Sequence, residues 1–438
     1  MSKTFVSIFF SMVALLCTGQ VRGEDVFQSA TAPAKHSEIS PRFFGAHIGY
    51  LAARPGRRGG IATPWPEVAV GSIRFWDSAV RWAELEPVRG EWHFDRMDAM
   101  VNTATQHGAE IVYTLGSPPP WASARPTERC PYGLGCSSEP ADLVDWERYV
   151  RTVATRYKGK IKVYEVWNEP KFYDSPPNRE IQGFFSGSLA QMIKMTAIAR
   201  RVLKEVDENA LLASPGFDGG TKWLDYFLGA GGASMVDVIA YHFYAGSSRE
   251  MAQQLVAVRQ SMEKYGAAAL PLWNTESGFE SREANTSVAG SRVLPSQEVA
   301  AGWLAQTMVL AAAADVRRFF TYAWEHPSMG MINDDGSRRP NYAALASVQN
   351  WLSGSIMSGC REVESQIVAC EGQRAGKPFT VVWALGPSAS SSFPLPANAS
   401  GAFQTNLLAN SAAPLMFKGS AGVITVPVGS SPSLLSWQ

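Results

Sequence analysis

The sequence predicts an α/β chain, a (β/α)8 TIM barrel with an appended C-terminal β-sandwich, and three observations carry that expectation. Between residues 43 and 354, eight short apolar runs alternate with longer amphipathic stretches, the pattern of βα units built around a parallel sheet. The chain has 438 residues, 46% of them hydrophobic, enough for one large core and a minor one. From residue 355 to 438 helical periodicity stops, Ser, Gly and Pro rise, and strand-like runs at Phe379–Leu385 and Gly422–Val428 remain.

In chain order, residues 1–23 have the form of a secretory signal. Lys3 supplies the positive start, Phe5 to Cys17 the apolar stretch, and Val21-Arg22-Gly23 a cleavage site. The expected location is therefore outside the cytoplasm, periplasmic or secreted, with an uncleaved membrane anchor as the alternative. No later segment is long and apolar enough to span a bilayer. Residues 24–42 could join the sandwich as an extra strand. The eight apolar runs are Phe43–Gly49, Val70–Trp76, Glu110–Leu115, Lys162–Trp167, Leu211–Ser214, Val236–Tyr241, Leu270–Asn274 and Arg318–Ala323. Helical stretches fall between them, among them Asp142–Tyr157, Leu189–Val206, Arg249–Tyr265 and Ser296–Ala314. A doubly wound nucleotide-binding sheet would need a Gly-rich turn after a strand, and the tract Gly229–Gly232 follows a helix instead.

Composition narrows the partners. Lysine and arginine number 39, as do aspartate and glutamate, so there is no basic excess to hold a nucleic acid. Fourteen tryptophans offer flat apolar faces with a polar N–H, suited to protein cores and to the C–H faces of sugar rings alike. Removing the leader leaves Cys130, Cys136, Cys360 and Cys370 as two close pairs. An even count in an exported chain points to two local disulfides. Zinc is the competing reading, but the pairs lie far apart and no histidine has ligand spacing to them.

In a (β/α)8 barrel the chemistry sits at the C-terminal ends of the strands. Here those ends are polar and aromatic: His47 and Tyr50 at the first run, Arg74, Trp76 and Asp77 at the second, Ser117-Pro118-Pro119-Pro120-Trp121 after the third. The fourth runs into Asn168-Glu169-Pro170, the sixth into His242-Phe243-Tyr244, the seventh into Glu276 and the eighth into Trp324-Glu325-His326. Strands four and seven face each other across the barrel mouth, so Glu169 and Glu276 can flank one bond. Two carboxyl groups about 5–5.5 Å apart can cleave a glycosidic bond with retention, one as acid/base and one as nucleophile. Asn168 could bond the sugar 2-hydroxyl, and Tyr244 could hold the nucleophile's carboxylate.

Trp167-Asn168-Glu169-Pro170, with a glutamate after strand seven, resembles the glycoside hydrolases of clan A. Arg74-Phe75-Trp76-Asp77, then Trp82 and Glu86-Pro87 to Gly90-Glu91-Trp92-His93-Phe94-Asp95, is similar to family 39 in particular, the family of β-xylosidases, α-L-iduronidases and exopolysaccharide endoglycosidases. The resemblance covers residues 43–350 and implies Glu169 as acid/base and Glu276 as nucleophile. It also implies a subsite shaped by Arg74, Asn168, His242, Tyr244 and Trp324.

Each residue has a plainer reading. Glu169 could be an ordinary surface glutamate, His242 a satisfied core histidine, and Trp324, His47 and Trp121 packing or capping groups. Glu280 and Glu283 are rivals to Glu276 but fall beyond the strand. Glu165, about 13 Å back along the strand from Glu169, is expected to face the barrel interior and pair with a cation such as Arg74. Asp77 is expected to cap the following segment. Asn285-Thr286-Ser287 and Asn398-Ala399-Ser400 match glycosylation sequons. The expected partner is an oligo- or polysaccharide, the expected oligomeric state a monomer, and no metal or organic cofactor is implied. Beside an endo-acting enzyme stand two alternatives, an exo-acting β-xylosidase-like enzyme and a carbohydrate-binding barrel without turnover. The Cys130–Cys136 loop and the segment Phe172–Phe185 would edge the groove in any of them.

Overall fold

The structure, a computed structural model, describes residues 25–32, 37–54, 57–173, 183–282, 294–364, 366–394, 399, 401–409, 412–415 and 422–437. The leader 1–23 with Cys17, Glu283, the sequon 285–287, Asn398 and Ser400, and residues 174–182 of the expected groove-edging segment lie outside them.

Eight parallel strands form one sheet: β1 (Phe44–Ala46), β2 (Ser72–Phe75), β3 (Glu110–Leu115), β4 (Ile161–Val166), β5 (Leu211–Ala213), β6 (Ile239–His242), β7 (Leu272–Ser277) and β8 (Phe319–Thr321). Their spatial order is β5-β4-β3-β2-β1-β8-β7-β6. The seam between β5 and β6 closes through the bridges Ala213–Val238 and Phe217–Tyr241, with the Ser214 N–H donating to the Val238 carbonyl at 2.9 Å. The result is the expected barrel. Its strands read as continuous apolar runs because both faces are covered, one by helices and one by the barrel interior.

Side-chain alternation then builds the interior in layers. Val112, Val163, Ala213, Ala240, Trp273 and Phe320 form one apolar cluster inside the barrel. Phe320 fits because Gly45 has no side chain; a Cβ there would stand 2.5 Å from its ring. Two residues further along β3, β4 and β6, and so on the same face, come Thr114, Glu165 and His242. The polar layer of the barrel mouth is thus dictated by strand periodicity.

The helices that wrap the barrel are capped by side chains at their N-termini. Asp142, Ser188, Ser247 and Ser296 each accept a backbone N–H of the helix they precede. Helix Gln297–Ala313 is apolar on almost every side, with thirteen buried residues. Its position explains this: one side packs on the barrel and another meets the C-terminal sheet, where the Gln306 amide donates to the Ser430 carbonyl at 2.7 Å.

That second unit is antiparallel. Strands β9 (Ser355–Val363), β10 (Ile367–Arg374), β11 (Lys377–Ala384), β12 (Ala389–Pro394), β13 (Ala402–Asn406), β14 (Ala413–Pro414), β15 (Val423–Val428) and β16 (Ser433–Trp437) form two sheets. One runs β9-β10-β11-β16-β13-β14, the other is the pair β12-β15, and Ile367, Val382, Phe393, Ile424, Val426 and Leu435 fill the space between. Both expected disulfides are present. Cys360–Cys370 joins directly paired residues of β9 and β10, and Cys130–Cys136 closes a short hairpin after β3.

The N-terminal segment corrects its expectation. Among its described residues it forms no strand in the sandwich: Val26–Thr31 is a helix, capped by Asp25, that packs against helix Ser248–Lys264 and β9. Thr31 bonds both the N–H and the carbonyl of Cys360, and Asp25 accepts the Glu362 N–H at 2.7 Å. With its side chains bound to the edge strand, the segment covers that strand without extending the ladder.

Candidate active site

Arg74, on β2, is the hub. It is fully buried, and its guanidinium reaches three acceptors from two sides of the barrel. Nε donates to Glu165 at 2.7 Å, Nη1 to Glu276 at 2.9 Å and Nη2 to the Asn168 amide oxygen at 2.7 Å. The Thr114 hydroxyl adds a second donor to Glu165 at 2.7 Å. Burial works against the guanidinium charge, but Glu165 and Glu276 outweigh it and raise the proton affinity of Arg74. A buried cation needs such partners.

Glu169 is presented by an unusual turn. After β4 the chain takes positive φ at Trp167 (71°) and again at Glu169 (42°). Such values cost a non-glycine residue roughly 1–2 kcal/mol each, and packing holds them. The Trp167 N–H donates to the Leu115 carbonyl and its indole N–H to the Phe184 carbonyl, while the Glu169 N–H donates to the Gly216 carbonyl at 2.8 Å. The carboxyl group thereby swings back over the mouth to meet His242, with 2.8 Å between Nδ1 and Oε1.

Glu276 comes from the end of β7. One oxygen accepts from Arg74 and the other from the Tyr244 hydroxyl at 2.8 Å. An oxygen of Glu169, an oxygen of Glu276 and a ring nitrogen of His242 all lie within 4.8 Å of one another. Among the described residues this trio alone has the proximity to hold a cation. Arg74 already neutralises Glu276 there, which works against a second positive charge.

The electrostatics follow from burial. Burial first, and the Glu276 charge second, raise the Tyr244 phenol far above its ordinary value, so it is a donor. His242 is driven below its ordinary value, mainly by burial. His47 is lowered too, by burial and then by Arg74. Both carboxyl groups rise to about 7, in each case chiefly through burial. Arg74 and then Lys171 oppose the rise at Glu169, His242 and then Arg74 at Glu276. The donor sets differ: Glu276 receives a guanidinium and a phenol, Glu169 an imidazole. The Glu169 charge adds to the rise at Glu276, so the two titrate as a coupled pair that shares a proton near neutral pH.

Of the residues singled out from sequence, Arg74, Asn168, Glu169, His242, Tyr244 and Glu276 converge in one cluster, with Glu165 beneath it. His47 adjoins the cluster, its ring bonded to the Thr275 carbonyl at 2.9 Å and edge-on to Tyr322 at 5.2 Å. Trp121 does not join it. Its indole N–H donates to the Glu86 carbonyl and its ring packs on Trp82, Arg89 and Arg148. Trp324 is 2% exposed and packs edge-on against Tyr342, so it offers no open face for a sugar. Tyr322, two residues earlier, borders His47 instead, because β8 stops at Thr321 and not at Ala323. Asp77 is not a cap; it accepts the hydroxyls of Tyr132 and Tyr322, both at 2.6 Å, and so ties the β3 hairpin to the end of β8.

Sequence reasoning passed over the end of β5. There Ser214-Pro215-Gly216-Phe217-Asp218 carries a carboxylate beside Glu169, and a strand-end acid was the available signal. Gly216 is equally constrained, since a Cβ would stand 2.4 Å from His242 Nε2 and 3.1 Å from Glu165 Oε1.

A sequence model described as the glycosyl hydrolase catalytic core matches residues 198–340, and one for glycosyl hydrolase family 10 matches residues 75–213. Among solved structures the chain is similar to a family 39 glycoside hydrolase from Bacteroides cellulosilyticus. The identity is 17% and the TM-score 0.66, over 84% of this chain and 76% of that one. A family 39 β-xylosidase from Caulobacter crescentus shares 18% identity at a TM-score of 0.63, over 92% and 97% of the two chains. A family 30 endoxylanase from Clostridium papyrosolvens shares 14% at 0.63, with the same coverage. The structural likenesses establish the fold. The two sequence models mark residues 75–340 as similar to glycosyl hydrolase catalytic regions.

Proposed function

We propose that this chain hydrolyses β-glycosidic bonds in an oligo- or polysaccharide by double displacement, with Glu276 as nucleophile and Glu169 as acid and then base. The observation that carries this reading is the asymmetric closeness of the two carboxyl groups. Oxygens within 4.8 Å of one another match the separation of about 5–5.5 Å that retention needs, and fall short of the roughly 6.5–9.5 Å that leaves room for an inverting water.

In the first step a Glu276 oxygen attacks the anomeric carbon and forms a glycosyl ester. The glycosidic C–O bond breaks towards the leaving oxygen, which takes the Glu169 proton. Esterification removes the negative neighbour, so the proton affinity of Glu169 falls and it becomes a base. Water then gives its proton to Glu169 and attacks the anomeric carbon, and the ester bond breaks to regenerate the Glu276 carboxylate. Arg74 and Tyr244 hold that carboxylate ionised and aimed, while Asn168, tethered by Arg74, is within reach of the 2-hydroxyl.

Endo-cleavage of a polymer is the mode we favour, and the two disulfides support an exported chain working on an extracellular polysaccharide. The test of the roles is chemical rescue. Glu169→Ala given azide and an aryl β-glycoside should yield the β-glycosyl azide, and the α-azide would reverse the assignment. The test of mode is product length: a ladder of oligomers from a polysaccharide is expected, and monosaccharide alone would reject endo-action.

A further inference from the structure

Just outside the catalytic cluster, the β5 end carries a group of side chains that double displacement does not use. Asp218 follows Gly216 by two residues in extended chain, so its side chain shares the face on which Gly216 meets His242 and Glu165, one step further out of the mouth. Its Oδ1 is shielded from solvent and has no hydrogen-bond partner. It feels the charges of Glu169, His242 and Lys171. An acceptor left unpaired in a cleft is costly, and a ligand hydroxyl would recover that cost.

Beyond Asp218 stands an aromatic ledge. Half-buried Trp223 meets Phe172 edge-on at 5.8 Å and Tyr226 at 5.9 Å, and Tyr226 is 49% exposed. Phe172 is three residues past Glu169 and also touches Phe217, so the ledge joins the acid side of the cluster directly. The Lys222 ammonium lies 4.4 Å from the Trp223 ring centre on an exposed, flexible stem. It is readily displaced from that ring, because a solvent-exposed cation–π contact is weak.

We propose that Asp218, Trp223 and Phe172 form a leaving-group subsite that binds an uncharged, hydroxyl-bearing sugar unit of the substrate chain. The proposal rests on the glycosidase reading above and extends it. The leaving oxygen faces Glu169, so the sugar that departs with it lies on the Glu169 side of the mouth, towards β5. A pyranose there gives a hydroxyl to Asp218 Oδ1 and lays its C–H face on the aromatic ledge. A uronate whose carboxylate turned to the Asp218 side would bring a third negative charge against Glu169 and Asp218 and is disfavoured there.

The experiment compares two leaving groups on one glycon. A panel of 4-nitrophenyl β-glycosides (xyloside, glucoside, galactoside) identifies the preferred sugar, and a β-1,4-linked tetrasaccharide of that sugar is the second substrate. Asp218→Ala and Trp223→Ala, each at its own pH optimum, should lower the ratio of oligosaccharide to aryl kcat/KM by at least about tenfold, mostly through KM. Trp223→Phe, which keeps a ring, should restore part of that ratio, and thermal midpoints separate this from misfolding. Equal losses on both substrates, or none on either, would overturn the subsite. Failure of the wild type to turn over any aryl glycoside or oligosaccharide would overturn the glycosidase reading itself.

Discussion

Burial lifts Glu169 and Glu276 to about 7 from ordinary values of 4.5, and that single fact carries consequences for rate and for stability. The pair titrates as a unit, one proton being shared at neutral pH. Catalysis needs the singly protonated state, so kcat/KM should be bell-shaped. It falls on the acid side as Glu276 takes a proton, and on the alkaline side, around pH 7, as Glu169 loses its own. Glu169→Gln should erase the alkaline limb and slow substrates with poor leaving groups far more than aryl glycosides. An alkaline limb surviving in Glu169→Gln would remove it as the acid. Glu276→Gln should cost at least about a thousandfold with every substrate, since no other group can form the ester.

Stability responds to the same burial with a definite sign. A carboxyl group whose folded affinity for protons is raised contributes stability below about pH 4.5, and the contribution is lost as pH climbs through about 7. Glu169→Gln removes that loss. Its thermal midpoint should exceed that of the wild type more at pH 8 than at pH 5, and a gap independent of pH would refute the burial argument. Gly216 tests the geometry from below. Gly216→Ala puts a methyl 2.4 Å from His242 Nε2, which must push the imidazole off Glu169. A fall of about 100-fold in kcat/KM is expected from an ångström of misplacement.

At the scale of elements, the short strands are held by tight junctions as well as by burial. The loop into β2 is an example: a Cβ at Gly71 would stand 2.2 Å from the Pro41 carbonyl oxygen, a backbone atom with no rotamer to escape into. Gly71→Ala should therefore destabilise the chain by about 1–3 kcal/mol in urea unfolding, as overpacking in a core does. The hairpin β9–β10 offers a second test. Its disulfide closes a loop between positions ten apart, so Cys360→Ala with Cys370→Ala should lose about 2–3 kcal/mol on the chain-entropy account. Activity on aryl glycosides at 25 °C should survive, because β9 and β10 lie in the C-terminal sheet and bear no residue of the catalytic cluster.

The strand positions were legible because barrel strands are covered on both faces and read as apolar runs of four to eight residues. Element ends were less so. β8 stops at Thr321, two residues before the apolar run does, and this exchanged Tyr322 for Trp324 at the mouth. No local signal marks that stop, since Tyr, Ala and Trp all suit a strand. The N-terminal segment misled for a related reason: its six helical residues Val26–Thr31 are too few for helical periodicity to stand out.

Across the whole molecule, the barrel and the sandwich form one body through helix Gln297–Ala313 and the N-terminal helix. The apolar surface of Gln297–Ala313 needs the C-terminal sheet as cover, so a chain ending at Ser353 should be less soluble and less stable than the full chain. Comparing the two by expression and thermal unfolding would show it, and an equally stable truncated barrel would contradict the shared packing.

By itself the sequence determined the barrel, the strand ends that carry Glu169 and Glu276, and the pairing of Glu165 with Arg74, because strand periodicity and the order of βα units fix which side chains reach the mouth. Only the tertiary structure decided which donors each carboxyl group receives, since those come from β2 and β6 and converge from distant parts of the chain. It also decided which aromatic faces the cleft and what stands beside the acid. A tryptophan reads the same in sequence whether its face is covered by Arg89 and Arg148 or open to a sugar. Asp218 gains its place only when β5 closes against β4 and β6.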